Sequence, residues 1–221
     1  MKHIFTAFLG LFMVLSNVTF AQKDAKAKKV LDQMSEMYKS LDGFEANILQ
    51  EDYKTGDDKP LGSNLIEIAV KGNKYRLTLG DQVVYNNGEA VYTFMKSDQE
   101  VTVTDPEEEG DDVMSDPSAI YTLYEEGFKY LYKGSESMNG AQYDVIDLSP
   151  EDHKNDEFNF YRLVMYINKA NHQLDRWEVY MKGNSKWNLF KVSNFKANSL
   201  EDNLFTFDEA KYPDVEVIDL R

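Results

Sequence analysis

Few side chains in this sequence are typed and spaced for chemistry. Past the first 21 residues there are two histidines, His153 and His172, both in polar turns and neither near a second metal ligand or a nucleophile. Cysteine is absent, so there is no thiol nucleophile and no disulfide. Serines lie mostly in loops, none of them in a nucleophile elbow. No glycine-rich loop opens a helix to cradle phosphate. Carboxylates are abundant, yet no pair of them stands out as the acid and base of a hydrolase. The densest acidic run, Asp105–Asp116, holds seven acidic side chains in twelve residues. It lacks the alternating ligands, sixth glycine and twelfth glutamate of a calcium loop, and is expected to be a solvated loop. These residues predict neither an enzyme nor a bound metal or cofactor. The chain is rich in apolar surface instead, with many aromatics at strand positions that fill a core or line a cavity.

The elements that would carry this surface centre on Asn64–Lys96. Ile66, Ile68 and Val70 alternate with period two, as do Tyr75, Leu77 and Leu79, and then Val91, Thr93 and Met95. Breaks fall at Lys71-Gly72-Asn73 and Asn86-Asn87-Gly88, where glycine tolerates the positive φ of a hairpin. The pattern predicts an antiparallel meander. Leu65, Ala69, Tyr92 and Phe94 make the opposite face apolar too. A sheet with one wet face would not need that. Which face lines a cavity is left open by the pattern, but one of them is expected to meet an oily hollow sealed by helices.

The start of the chain reads as a leader. A basic head, an apolar run over Ile4–Val18 and small residues before Ala21 describe a secretory signal peptide cut near Ala21, with the domain over 22–221. No cysteine follows the cut to take a lipid anchor. Without Lys2 the remainder has 23 basic against 39 acidic side chains, a net charge of −16. That repels nucleic acid and anionic membranes at long range. A secreted, cysteine-free chain suits a bacterial periplasm.

Two helices are expected. Lys23–Leu41 carries Val30, Leu31, Met34, Met37, Tyr38 and Leu41 as one stripe, with Asp42-Gly43 as its stop. A second, short amphipathic helix is opened by Ser115-Asp116-Pro117, carries Ile120, Leu123 and Tyr124, and ends at Gly127. Strands are expected over 44–53, the meander, 99–104, 128–132, 141–148, 158–168, 173–181 and 185–196, with KGSESMNG (133–140) as a turn. An apolar anchor (Asn203–Phe207) and an extended end (Pro213–Leu220) follow. Strands every eight to twelve residues argue for a barrel or strongly curved sheet.

Several stretches resemble one family, the periplasmic outer-membrane lipoprotein carriers, or LolA-like proteins. They are Lys39–Ala46 (KSLDGFEA), Val70–Leu77 (VKGNKYRL), Asn87–Tyr92 (NGEAVY), Leu123–Tyr130 (LYEEGFKY) and Leu204–Phe207 with Tyr212–Val217. The resemblance implies an unclosed antiparallel barrel of about eleven strands with helices as a lid. It implies a hydrophobic cavity for lipoprotein acyl chains, here lined by Ile66, Ile68, Val70, Tyr75, Leu77 and Leu79. Met34, Met37, Ile120, Leu123 and Tyr124 would close it. It implies a monomer that takes lipoproteins from an inner-membrane releasing transporter to the outer membrane, with a possible acceptor there. Another lipid-binding or envelope-stress-sensing module on the same scaffold is the alternative. In the family's best-known branch an arginine follows the Val-Lys pair and holds the lid shut; here Gly72 stands in that place. The lid role is not carried to Arg76, and an apolar latch of Ile120, Leu123 and Tyr124 is expected instead.

Overall fold

The structure is a computed structural model that describes residues 24–106, 117, 119–151, 158–183 and 185–221. The predicted leader (1–21), most of the acidic run (107–116), the Ser115-Asp116 cap and His153 lie outside the described residues.

Helix α1 (Ala25–Lys39) begins where its sequence begins to be amphipathic. Asp24 caps it, accepting from the amides of Lys26 (2.8 Å) and Ala27 (3.3 Å). Ala27, Leu31 and Met34 are fully buried, which sets the packed face. The helix stops at Lys39 with Ser40 as its cap. Gly43 therefore does not serve as the expected helix stop. A Cβ there would stand 3.0 Å from the Val70 carbonyl and 3.2 Å from that of Asn198, so glycine is required by close backbone approach.

Twelve strands follow: β1 (Phe44–Lys54), β2 (Gly62–Lys71), β3 (Lys74–Leu79), β4 (Gln82–Asn86), β5 (Val91–Met95), β6 (Glu100–Thr104), β7 (Phe128–Met138), β8 (Ala141–Pro150), β9 (Phe160–Asn168), β10 (Leu174–Met181), β11 (Lys186–Ala197) and β12 (Glu216–Asp219). They form one open sheet in the order β12-β6-β5-β4-β3-β2-β1-β11-β10-β9-β8-β7. The mainly β, unclosed and largely antiparallel architecture is the one expected. Among the described residues the strand count is one higher than the resemblance implied: the meander holds four strands where three runs were expected, β4 being the addition, and the extended end becomes β12, parallel to β6. The stretch taken for a long turn, 133–140, is mostly strand: β7 runs on to Met138 past an irregularity between Tyr132 and Gly134. Gly134 takes φ +131°, and the polar residues beyond it are tolerated because β7 is an edge strand with a wet side.

The mid-chain helix is also corrected. Ile120, Leu123 and Tyr124 lie on two 3₁₀ turns, Ala119–Tyr121 and Leu123–Glu125, not on an α-helix. Seven residues from Ala119 to Glu125 make too short a run for propagation to offset nucleation, so tertiary contacts hold this segment.

α1 and the 3₁₀ turns pack on the concave face of the sheet. One apolar cluster joins Leu31, Met34 and Tyr38 to Ile48, Ile68, Ile146, Met165, Trp177 and Phe190. The other face of the meander is covered by the chain's own tail. Leu200 and Phe205 pack on Ala69, while Phe207, Tyr212 and Val215 pack against Phe94, Val101, Tyr85 and Tyr92. Lys71 ties the tail down, donating to the Leu200 carbonyl (2.7 Å) and pairing with Asp202 (2.9 Å). The doubly apolar strands thus have helical cover on one side and tail cover on the other at Ala69 and Phe94, while Leu65 on β2 is left 51% exposed.

Candidate functional site

Strand register brings the predicted cavity residues to one face. Val70 pairs with Tyr75, Ile68 with Leu77 and Ile66 with Leu79 across β2 and β3. β1 continues the rows, with Phe44 beside Val70, Ala46 beside Ile68 and Ile48 beside Ile66. β11 and β10 extend the wall through Val192 opposite Ile48 and Trp177 opposite Phe190. All six residues therefore belong to the concave apolar surface.

Beneath the 3₁₀ turns this surface leaves a hollow of about 60 Å³. Of the predicted wall residues, Ile66, Ile68 and Leu77 border it; Val70, Tyr75 and Leu79 pack in the surrounding cluster without bordering it. Of the predicted lid residues only Ile120 borders it. Met34, Met37, Leu123 and Tyr124 pack into the same cluster farther off. Sequence reasoning missed most of the far wall: Phe44, Ala46, Ile48, Trp177, Phe190 and Phe195, with Tyr38 and Tyr121. Their alternation was visible, but their meeting depends on β1 pairing with β11, which is 136 residues away at Asp52 and Asn188. A dry cavity of ~150 Å³ is what holds one benzene, so the present hollow is smaller than one benzene site.

Four rings gather at one end of the hollow. Tyr38 stacks on Tyr121 at 4.8 Å, Phe44 stacks on Phe195 at 5.2 Å, and Tyr38 meets Phe44 at 5.4 Å. The Tyr38 hydroxyl accepts from the Leu174 amide (3.3 Å), which fixes the ring to β10. Burial pushes its phenol well above the usual range, so it stays neutral. On the outer side of the rings lies a wider mouth of about 320 Å³, bordered by Tyr38, Phe44, Tyr121, Val70, Gly72 and Asn73 among others.

The 3₁₀ turns are latched with polar as well as apolar contacts. The Tyr124 hydroxyl donates to Asp32 on α1 (2.9 Å), and Lys39 pairs with Glu125 (2.8 Å). The expectation of an apolar latch is thereby amended. Gly72 sits in the β2–β3 turn at φ +59°, bordering the mouth. Arg76 lies on the convex face opposite Ala69 and Tyr85, its guanidinium 5.5 Å from the Tyr85 ring, and so has no reach to the lid.

Nothing in the described residues looks like a catalytic or metal centre. No group of three or more His, Asp or Glu could hold a metal there. His172 sits in the β9–β10 turn at φ +61°, its amide donating to the Asn168 carbonyl. Glu178, a buried carboxylate the sequence did not flag, is on the convex face and fully engaged. It accepts from Arg176 (2.6 Å), Tyr180 (2.7 Å) and Tyr166 (3.2 Å). Burial and this carboxylate push the Tyr166 phenol up to about 12. No helix among the described residues is long and apolar enough to cross a membrane.

A curved, unclosed sheet around an apolar hollow with a helical cover is the LolA-like architecture. A family described as outer membrane lipoprotein carrier protein LolA matches residues 17–163, and the chain belongs to that family. The fold is similar to the crystal structure of an uncharacterized conserved protein from Thermus thermophilus, with 12% identity, 88% of this chain and 99% of that one covered, and a TM-score of 0.59. A LolA superfamily protein, NE2245 from Nitrosomonas europaea, aligns at 14% identity over 82% of this chain and 98% of its own, with a TM-score of 0.44. The Mycobacterium tuberculosis lipoprotein LppX aligns at 13% identity over 80% and 98%, with a TM-score of 0.46. No curated protein sequence matches the chain.

Proposed function

We propose that this protein is a periplasmic carrier that holds lipoprotein acyl chains in its concave hollow. It accepts them from an inner-membrane releasing transporter and delivers them toward the outer membrane, as a monomer and without catalysing a reaction. The leader ending near Ala21 supplies the route to the periplasm. The supporting observation is the continuous apolar wall of β1–β3, β10 and β11 with a hollow left under a latched cover. Membership in the carrier family supports the same reading. The physical need is clear: each methylene exposed to water costs ~0.8 kcal/mol, so an acyl anchor cannot cross an aqueous gap uncovered.

The test is binding of a synthetic triacylated lipopeptide to the full-length mature protein and to Leu77→Glu. Leu77 borders the hollow and is only partly buried, so a carboxylate there spoils the apolar wall while the sheet still forms. Binding by the parent and its loss in a folded Leu77→Glu variant are expected. A parent that binds no lipopeptide, or a variant that binds it normally, overturns the proposal. Lipids extracted from native protein and weighed by mass spectrometry separate lipoprotein cargo from another lipid.

A further inference from the structure

Two Asn-Gly dipeptides occur in the chain, Asn87-Gly88 and Asn139-Gly140, and each stands in a turn between paired strands. Asn-Gly is the pair most open to self-cyclisation, because glycine has no side chain to keep its amide nitrogen away from the asparagine Cγ. The fold treats the two differently. In the β4–β5 turn the reacting groups are held. The Gly88 amide donates to Oδ1 of Asn86 (2.8 Å), and Oδ1 of Asn87 accepts from the amides of Glu89 and Ala90 (2.9 Å each). Asn86 is only 8% exposed, and this bond accounts for a buried polar side chain on β4. Asn73 packs over the turn, its side-chain nitrogen 3.2 Å from where a Cβ on Gly88 would stand.

Asn139-Gly140 closes the β7–β8 hairpin, at φ +51° and +82°, the positive pair that a type I′ turn demands. Both residues are exposed, and among the described residues the Asn139 side chain has no hydrogen-bond partner. β7 is an edge strand, and Met138 with Ala141 is its last ladder pair, so the turn opens against the resistance of one neighbour only. We propose that Asn139 is a site of non-enzymatic modification, converting to aspartate and isoaspartate, and that the Asn86 lock protects Asn87 from the same reaction. The Gly140 nitrogen gives up its proton and bonds to Cγ of Asn139. The bond from Cγ to the side-chain nitrogen breaks, and ammonia leaves with that proton. Water then opens the five-membered imide at either carbonyl, so the net exchange is ammonia for water. Opening at one carbonyl gives aspartate. Opening at the other gives isoaspartate, which puts an extra methylene into a two-residue turn and a new negative charge at the hairpin tip.

The test incubates folded protein and urea-unfolded protein in warm neutral buffer. Each asparagine is read by peptide mass spectrometry, and isoaspartate is confirmed by enzymatic carboxyl methylation. Unfolded, the two sites should convert at rates within about threefold of each other, since both are then free Asn-Gly units. In the folded chain Asn139 should convert at least about tenfold faster than Asn87, because reaction at Asn87 must first break the bonds that hold it. Asn86→Ala should raise the Asn87 rate about tenfold and leave Asn139 unchanged. Asn86→Asp keeps an acceptor for the Gly88 amide and should keep Asn87 protected. In converted protein, hydrogen exchange should quicken over 135–144 and nowhere else. Equal rates at the two sites in the folded chain, or no conversion of folded Asn139 while the unfolded chain converts, overturn the proposal. So does an Asn87 rate that stays unmoved in a folded Asn86→Ala variant. The comparison of folded with unfolded parent decides the question even where that variant fails to fold.

Discussion

The Tyr124 hydroxyl, on the second 3₁₀ turn, donates a 2.9 Å hydrogen bond to the Asp32 carboxylate on α1. Ninety-two residues separate the two, and the bond joins the cover's two pieces. Burial, then the carboxylate, push the Tyr124 phenol well above its usual range, so it remains a donor at any physiological pH. The Asp32 side chain is 38% exposed and is shared with Lys28, which screens the bond. Tyr124→Phe should therefore cost only about 1 kcal/mol, at the low end for a bond to a charged group. Hydrogen exchange should report the loss as faster exchange confined to 119–125 and the facing turn of α1, with the sheet amides unchanged.

Trp177 stacks on Phe190 at 4.9 Å with the rings 8° from parallel, and both border the hollow. Trp177→Ala removes a largely buried indole from a wall that already has space beside it. The expected cost is about 3–5 kcal/mol, measured by urea unfolding, because partial collapse cannot fill both voids. Trp177→Phe keeps a ring against Phe190 and should lose less than half as much.

Phe205 is fully buried, on the convex side, among Ala69, Leu200 and Leu204. Phe205→Ala should cost about 3–5 kcal/mol and loosen the tail before the sheet. Limited proteolysis checks this: cleavage in 198–215 should quicken first. Uniform quickening throughout the chain would mean that the tail and sheet unfold together.

Asp24 accepts from the amides of Tyr132, Lys26 and Ala27, and these bonds, Tyr132's first, hold its carboxyl below the usual carboxylate range. A carboxyl lowered on folding contributes stability that is complete above its unfolded value near 3.8 and is lost as pH falls through the lower folded value. Asp24→Ala should cost about 1 kcal/mol at neutral pH, as for loss of a helix cap. The gap between parent and variant should close as the pH is lowered below that range. Urea midpoints measured at neutral and at acid pH test the sign. A gap that widens in acid would contradict it.

Much of the sheet could be read in advance. Ile66, Ile68 and Val70 and their partners Tyr75, Leu77 and Leu79 keep strict alternation over a glycine turn, and local pattern alone puts them on one face. The stripe through Leu31 and Met34 likewise implied a helix with one dry side. Context overruled local signal elsewhere. The polar run after Tyr132 became strand because β8 offered a ladder to one side and water lay on the other. The segment around Tyr124 became 3₁₀ because its shape answers to α1 and β7.

By itself the sequence determined the period of α1 and of most strands, the oily character of both faces of the meander, and the absence of cysteine, since these depend on residue type and near spacing. Only the tertiary structure decided which oily face surrounds space. β1 had to find β11 and the Phe205–Phe207 segment had to settle on the convex side before the concave side could remain partly unfilled. Period-two alternation distinguishes two faces but says nothing about what each one meets. That assignment is made by contacts between residues more than a hundred positions apart.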